Sequence, residues 1–306
     1  MGSELQVSVV VPVLDGAATI GEMLVALQAQ SLPHAAFEVI VVDNGSHDGT
    51  REIVSRSGVR LLEEAQRGPS AARNRGLRAA AAEIVAYLDA DTLPTRTWLA
   101  ELVAPFADPA VVLVGGRTLS FRPETSAERY IEACGHYAPG SNVLRSEFPF
   151  VPSLNMAVRR ALALEIGGFA ENLRTAEDVD FSHRLLRHSG AAITYQASAV
   201  LFHRNRRDDA GLRRQAWSYG YGAAQMYRRY PEELRWDLAK SLRLGQVLLA
   251  RTAMPVVGRL QHALGLTSSD AVEFADYHRL WTWSWWAGFL AGYRRERPAR
   301  TEAVAA

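Results

Sequence analysis

The chain has 306 residues, of which 48% are hydrophobic and 22% charged, with 23 glycines, 13 prolines and a formal net charge of +1. These are ordinary globular values: they exclude disordered, collagen-like and low-complexity readings, and the length suits one large domain with an appendage or two small ones. The single cysteine, Cys134, excludes an intrachain disulfide and any multi-cysteine zinc or iron–sulfur site, and fits a reducing, cytoplasmic compartment.

The opening MGSELQ has no basic or apolar leader region, so no secretory signal is expected, and Gln6 stands where a myristoylation motif needs Ser or Thr. Residues 7–11 (VSVVV) predict a buried parallel strand. A helix follows, with Thr19 and Glu22 spaced as a capping box and Ile20, Leu24 and Leu27 on one face. Strands are predicted at 37–42, 59–62, 84–88 and 111–114, alternating with helices at 46–57, 69–82 and 95–106. After Gly116 the alternation lapses, and strands near 150–158 and 193–203 flank a helix at 176–188. The pattern predicts an α/β fold, an open and mostly parallel sheet with helices on both faces. Ligands of such sheets bind beyond the carboxyl ends of the strands.

Charge divides the chain near residue 205. Residues 1–202 carry 17 basic and 23 acidic side chains, and residues 203–306 carry 17 and 10. Six of the seven tryptophans (Trp217, Trp236, Trp281, Trp283, Trp285 and Trp286) also lie in the second part. We therefore expect one domain over 1–205 and a helical, Arg/Trp-rich extension over 206–306. Such a composition suits either a surface that meets anionic headgroups or a helical cap whose aromatics fill its own core. The apolar segment 280–293 is too short to cross a bilayer and would lie in the interface or pack. Residues 238–266 suit an amphipathic helix with a kink or break at Pro255.

Chemistry-bearing residues stand where the sheet predicts a ligand. The strand-one turn has no G-x-G-x-x-G and the chain no P-loop or G-x-S-x-G, which argues against a dinucleotide fold, a P-loop enzyme and an α/β-hydrolase. Asp89-Ala90-Asp91 ends the 84–88 strand. In an extended backbone both carboxylates would point to one side and share a hard divalent ion, although a plain turn also favours Asp. Asp43, in Asp43-Asn44-Gly45-Ser46, sits at a strand rim, with Ser46 or Asp48 expected to cap the next helix. Arg73 and Asn74 near a helix start suit an anionic ligand or a plain surface. In the 176–188 helix, Asp178 shares a stripe with Phe181 and Leu185, whereas Asp180 shares a face with Arg184 and Arg187 that should be solvated. Asp178 is thus the candidate general base, or else a helix-dipole partner. His203 is a plausible further metal ligand or a locally bonded residue.

In order along the chain, Val7-Ser8-Val9-Val10-Val11-Pro12, Val41-Val42-Asp43-Asn44-Gly45-Ser46-His47-Asp48-Gly49-Thr50, Arg73-Asn74-Arg75-Gly76, Leu88-Asp89-Ala90-Asp91, Gly167-Gly168-Phe169 and Glu177-Asp178 resemble the motifs of the family 2 glycosyltransferases of the GT-A type. The resemblance covers about residues 5–205. It implies a nucleoside-diphosphate-sugar donor (a UDP-sugar foremost), a divalent ion such as Mn2+ or Mg2+, and inversion at the anomeric carbon. By position, Pro12 and Val13 would line the nucleotide pocket and Asp43 would contact the base. Arg73 would lie near base or diphosphate, Asp89 would address ribose or metal, Asp91 the metal, and Asp178 would deprotonate the acceptor hydroxyl. The acceptor would be a glycan or lipid-linked sugar of the cell envelope, met at an anionic membrane surface on the inner face of the plasma membrane, and no nucleic-acid partner is expected. Leu14-Asp15 departs from a common Tyr-Asn pair, and Glu232-Glu233-Leu234-Arg235-Trp236 departs from the processive Q-x-x-R-W, which favours single addition. A nucleotidyltransferase, or a non-catalytic nucleotide-sugar-binding scaffold at the membrane, would be the alternatives.

Overall fold

A computed structural model of the protein describes residues 5–135, 148–173, 175–235 and 237–294. The chain forms two compact units, Met1–Pro123 with Ile131–Asn205, and Glu124–Tyr130 with Arg206–Ala306. In chain order the elements that build the first are β1 (Val7–Val13), α1 (Ile20–Gln28), β2 (Phe37–Asp43), α2 (Thr50–Arg56), β3 (Arg60–Glu63), α3 (Pro69–Ala79), β4 (Ile84–Leu88), β5 (Thr92–Pro94), α4 (Trp98–Val103) and β6 (Leu113–Ser120). Then come α5 (Ser126–Ala133), whose first turns belong to the second unit, β7 (Asn155–Arg159), α6 (Arg160–Glu165), α7 (Glu177–Ser189) and β8 (Thr194–His203).

The strands make one eight-stranded sheet in the order β3-β2-β1-β4-β7-β6-β8-β5. β3, β2, β1 and β4 run parallel, as do β6 and β8, but β7 is antiparallel to β4 and β6, and β5 to β8. The sheet is therefore mixed. The turn after β4 is far too short for the crossover that a parallel neighbour needs, so β5 pairs elsewhere. The strand order reverses at β1, with β2 on one side and β4 on the other, so the carboxyl ends of these three open a cleft.

Alternation along β1 sorts its valines between two cores. Val7, Val9, Val11 and Val13 pack with Ile20, Met23 and Leu27 of α1 and with Trp98 and Leu99 of α4. Val10 joins Ala72 and Leu77 of α3 and Phe181 and Leu185 of α7 on the other face. A Cβ on Gly76 would overlap Val10, so glycine is what lets α3 lie this close to β1.

Two expected caps are absent. Thr19 makes no side-chain cap bond, and Glu22 pairs with Arg204 instead. The 46–57 helix starts only at Thr50, because the Ser46 hydroxyl is taken by the Asp15 N–H (2.9 Å); Asp48 still accepts from the Thr50 N–H (3.0 Å).

In the second unit, α8 (Asp209–Arg229), α9 (Leu238–Ala263) and α10 (Ser269–Arg294) are long helices. α8 and α10 meet backbone to backbone: a Cβ on Gly220 would overlap the Trp285 carbonyl, and one on Gly288 the Trp217 carbonyl. Trp285 stacks on Phe289 (5.4 Å) and Trp286 meets the same ring edge-on (5.0 Å), so the 280–293 segment puts these aromatics into its own unit. α9 runs unbroken through Pro255. Among the described residues no helix is long and apolar enough to cross a membrane. Trp236, Arg295 and Arg297 lie outside the described residues.

Candidate active site

The loops after β1 and β2 are bound to each other before any ligand is considered. Asp15, at φ 50°, accepts from the His47 N–H (2.8 Å), the Thr50 hydroxyl from the Gly16 N–H (2.9 Å), and Asp48 from the Ala17 N–H (3.0 Å). Asn44 ties the same corner to the start of α3: its amide donates to the Glu64 and Gln66 carbonyls and its oxygen accepts from the Gly68 N–H. The register sets Val13 beside Asp43 and Pro12 beside Val42, with Pro12 half-buried and Val13 buried.

Asp43 is wholly buried at the end of β2. It accepts from the Gly45 and Ser46 N–H groups (3.2 Å each) and from Arg51 Nε (2.7 Å). Burial alone would raise its pKa; the bonds from Ser46 and Arg51 outweigh burial and hold it below the ordinary carboxylate range. Asp43 is thus a fixed anion. Arg51, half-open to solvent, is a partner that its motif alone did not reveal.

Asp89 and Asp91 do not share one object in the way an extended backbone would dictate. They lie in a tight turn, in which the Thr92 N–H and hydroxyl both bond the Asp89 carbonyl (3.1 and 2.7 Å). The turn sends the carboxylates to different partners. Asp89 accepts from Arg73 Nη2 (3.0 Å), whereas Asp91 Oδ2 lies 3.7 Å from His203 Nε2. The pairing of β5 with β8 sets Thr92 opposite His203, and the Arg204 N–H, one residue past β8, bonds the Asp91 carbonyl (3.2 Å), so the strand register holds that second pair together. Among the described residues no three His, Cys, Asp or Glu side chains cluster closely enough to hold an ion by themselves. Asp91 and His203 are a hard oxygen and an imidazole nitrogen, a donor pair that suits an ion completing its shell with water and phosphate oxygens.

Arg73 is buried at the centre of the site. Its Nη1 donates to Glu177 (2.8 Å), its Nη2 to Asp89, and its guanidinium lies over the Phe169 ring, 5.6 Å from the centroid. Burial would lower its pKa, but Asp89 and then Glu177 more than reverse that, so the cation is secured. Glu177 was legible only as the neighbour of Asp178; the demand of a buried arginine for a second anion is the signal that assigns it.

Asn74 faces away from the ligand side. It accepts from the Phe169 N–H and donates to the Phe169 carbonyl (both 2.8 Å), clamping the Gly167-Gly168 turn, both of whose glycines have positive φ. The same turn is held from α7: Arg184 donates to the Ile166 and Gly168 carbonyls and to Asp180 (2.8 Å). Asp180 is consequently fully buried, not solvated. Arg184 stands one turn from Asp180 on the helix, and the Gly167-Gly168 turn that covers both comes from outside it.

Asp178 stands in the first turn of α7, entered through Ala176 in the left-handed conformation (φ 62°). Its Oδ2 accepts from the Ser153 N–H (3.3 Å) and its Oδ1 from the Val179 N–H (2.9 Å). Although crowded by protein atoms, it keeps partial access to solvent. Burial first, then the charge of Glu177, push its pKa up to about 7 against the pull of Arg73. Asp178, Glu177, Arg73 and Asp89 thus form one cluster, continuous through the Asp89 turn with Asp91 and His203. Asp43 stands apart, two strands away. A half-ionised carboxylate beside a secured cation can take a proton from a hydroxyl while the arginine side of the site faces an anion.

A family model described as Glycosyl transferase family 2 matches residues 8–167. The pre-mycofactocin glycosyltransferase of Mycobacterium tuberculosis is 32% identical over 243 residues, which are 76% of this chain and 49% of that protein. Glycosyltransferase AglE of Haloferax volcanii is 32% identical over 229 residues, 72% of this chain and 74% of that protein. The chain therefore spans about half the length of the mycobacterial relative. Among solved structures, mannosyltransferase PcManGT from Pyrobaculum calidifontis, in complex with GDP-Man and Mn2+, aligns with a TM-score of 0.67 at 24% identity over 94% of this chain and 87% of that one. Staphylococcus aureus TarS 1-349 in complex with UDP-GlcNAc aligns at 0.56 and 17% identity over 95% and 93%. At these identities the likeness is one of fold.

Proposed function

The chain belongs to glycosyl transferase family 2, and from that premise we propose that it moves a sugar from a nucleoside-diphosphate-sugar donor to an acceptor hydroxyl in a single inverting displacement. The observation that carries the reading is the cluster Asp178–Glu177–Arg73–Asp89, which stands one tight turn from the Asp91–His203 pair. It supports a proton acceptor on one side of the reacting carbon and charge-neutralising groups on the other.

The nucleotide would lie along the carboxyl ends of β2, β1 and β4. Asp43 and Asp89 are two strands apart, roughly 10 Å at about 4.8 Å per strand, a span that a nucleoside bridges between base and diphosphate. Asp43, held ionised by Arg51 and Ser46, accepts from the base, and Pro12 and Val13 wall the pocket. Asp89, fixed by Arg73, faces the ribose. Asp91 and His203 would hold Mn2+ or Mg2+ together with phosphate oxygens; the ion, when bound, neutralises the charge gathering on the departing diphosphate. Asp178, with a pKa near that of the medium, removes the acceptor proton as the hydroxyl attacks. Among the described residues the other carboxylates of the cluster, Glu177 and Asp89, are both engaged by Arg73, which leaves Asp178 as the one base and supports a single displacement that inverts the anomeric carbon.

We read the acceptor as a glycan or lipid-linked sugar of the cell envelope, met at the inner face of the plasma membrane. The excess of arginine in residues 203–306 supports that location. A panel of UDP-, GDP- and dTDP-sugars, scored by thermal shift with and without Mn2+ or Mg2+, tests the donor side, because a bound ligand stabilises by mass action. The expected result is a metal-dependent shift with one base class and release of nucleoside diphosphate on turnover. Release of pyrophosphate, or no shift with any donor, would overturn the reading.

A further inference from the structure

Among the described residues, one face of α9 exposes a run of large apolar side chains. Leu238, Leu242, Leu249, Val256 and Leu260 are between 58% and 74% exposed, which is unusual for five large apolar side chains on one helix. At 100° per residue they fall within a stripe roughly 40° wide, extended at its edge by exposed Ala253. The helix is 26 residues, about 39 Å long at 1.5 Å per residue. The opposite side is already used: Pro255 and Gly258 are buried, and Gly258 lies against Val272 of α10. The stripe is therefore a free face of a helix that is anchored from behind.

Its charges select the occupant. α9 contains Lys240, Arg243, Arg251 and Arg259 and not one aspartate or glutamate. Arg259 and Arg243 lie roughly 80° and 120° from the centre of the stripe, one on each side of it. Arg259 pairs with Asp276 of α10 and Lys240 donates to the Arg235 carbonyl, and α9 carries no acid of its own. A second copy of the chain seated on this face would bring basic helix to basic helix with no α9 acid to pair across the seam. An anionic bilayer satisfies both features: leucine and valine enter the acyl boundary while the flanking arginines meet headgroup phosphates.

We propose that the Leu238–Leu260 stripe of α9 is a membrane-docking face that lies in the interface of an anionic bilayer. The inference deepens the membrane-surface part of the functional reading, but it does not depend on the chemistry assigned to the active site. It also shifts the contact toward α9: Trp285 and Trp286 of α10 pack on Phe289 of their own helix, Trp283 stays half-exposed, and α9 carries the larger exposed apolar stripe.

Full-length protein is sedimented with vesicles of phosphatidylcholine alone, or with 30% phosphatidylserine, at low and high salt, beside the variants Leu249→Glu/Leu260→Glu and Arg243→Glu/Arg259→Glu. Wild type is expected to partition at least tenfold better onto anionic vesicles at low salt and to lose most of that gain in high salt. Each double variant should lose tenfold or more. Because the substituted side chains are exposed, circular dichroism and the unfolding midpoint should stay at wild-type values, as should hydrolysis of the sugar donor in solution. That last readout separates failure of the docking face from failure of the glycosyl-transfer reading. Wild type that ignores anionic vesicles, a leucine variant that binds like wild type, or a wild-type dimer that Leu249→Glu/Leu260→Glu makes monomeric would each overturn the proposal.

Discussion

Replacing Asp178 by Asn removes one titrating group while keeping size and the oxygen that accepts from Ser153. Its pKa is pushed up to about 7 from an ordinary 3.8, first by burial and then by Glu177. At about 1.4 kcal/mol per unit, that shift sets a ceiling of about 4 kcal/mol on what the ionised carboxylate costs the fold. The sign follows from the raised value. The protonated form is favoured by folding, its contribution is complete below about pH 4, and it is lost as pH rises through about 7. Between pH 5 and pH 8 the ceiling on the cost grows from about 1.7 to about 4 kcal/mol. Water at the partly accessible carboxylate reduces the change to roughly 1–2 kcal/mol. Asp178→Asn should therefore be stabilised over wild type by a margin that widens from pH 5 to pH 8, by about 2–8 °C in unfolding midpoint. The same variant should lose about 10²–10⁴-fold in kcat, the usual worth of a general base. Wild-type kcat/KM should fall about tenfold per unit below pH 7. Scanning calorimetry across pH and a nucleoside-diphosphate release assay measure both. A variant with full turnover, or a stability margin that narrows as pH rises, would refute the assignment of Asp178 as a strained, proton-accepting group.

Three further outcomes follow from the same geometry. Asp91→Ala and His203→Ala should each weaken nucleoside-diphosphate binding about tenfold or more in Mn2+ and change it little in chelator; calorimetric affinities that are equal with and without the substitutions would move the ion elsewhere. Gly168→Ala forces a Cβ onto Asn74 at φ 72° and should cost about 2–3 kcal/mol in urea unfolding, whereas Gly167→Ala, with free space at φ 78°, should cost only about 1 kcal/mol. Equal costs would remove the Asn74 clamp from the account. Asp43→Asn should destabilise by about 1–3 kcal/mol at pH 7, and the gap should close on acidification as wild-type Asp43 takes up its own proton below the ordinary carboxylate range.

The half of the sheet that frames the cleft was readable because buried parallel strands are nearly pure apolar runs, and their ends carry the acids Asp43 and Asp89. What followed from long-range pairing was not readable. β5 has three residues and no periodicity, yet its register with β8 is what brings His203 to Asp91. The burial of Asp180 came out reversed because a wheel shows one helix, and the Gly167-Gly168 turn that covers the Asp180–Arg184 pair arrives from outside it. Thr19 and Ser46 look like caps by local spacing, but the Thr19 hydroxyl donates to the Gly16 carbonyl of its own turn and the Ser46 hydroxyl accepts from the Asp15 N–H of the neighbouring loop. Asn74 shared a motif with Arg73, but neighbours on a helix point about 100° apart, so one meets the acids and the other pins a turn.

The most direct test of the central claim, one base acting in one displacement, is the anomeric configuration of the first-formed product, read by proton NMR during turnover of an α-linked sugar nucleotide. The account predicts a β-linked product from the earliest time point. An α-linked product would require a second displacement with a separate nucleophile, and would contradict it.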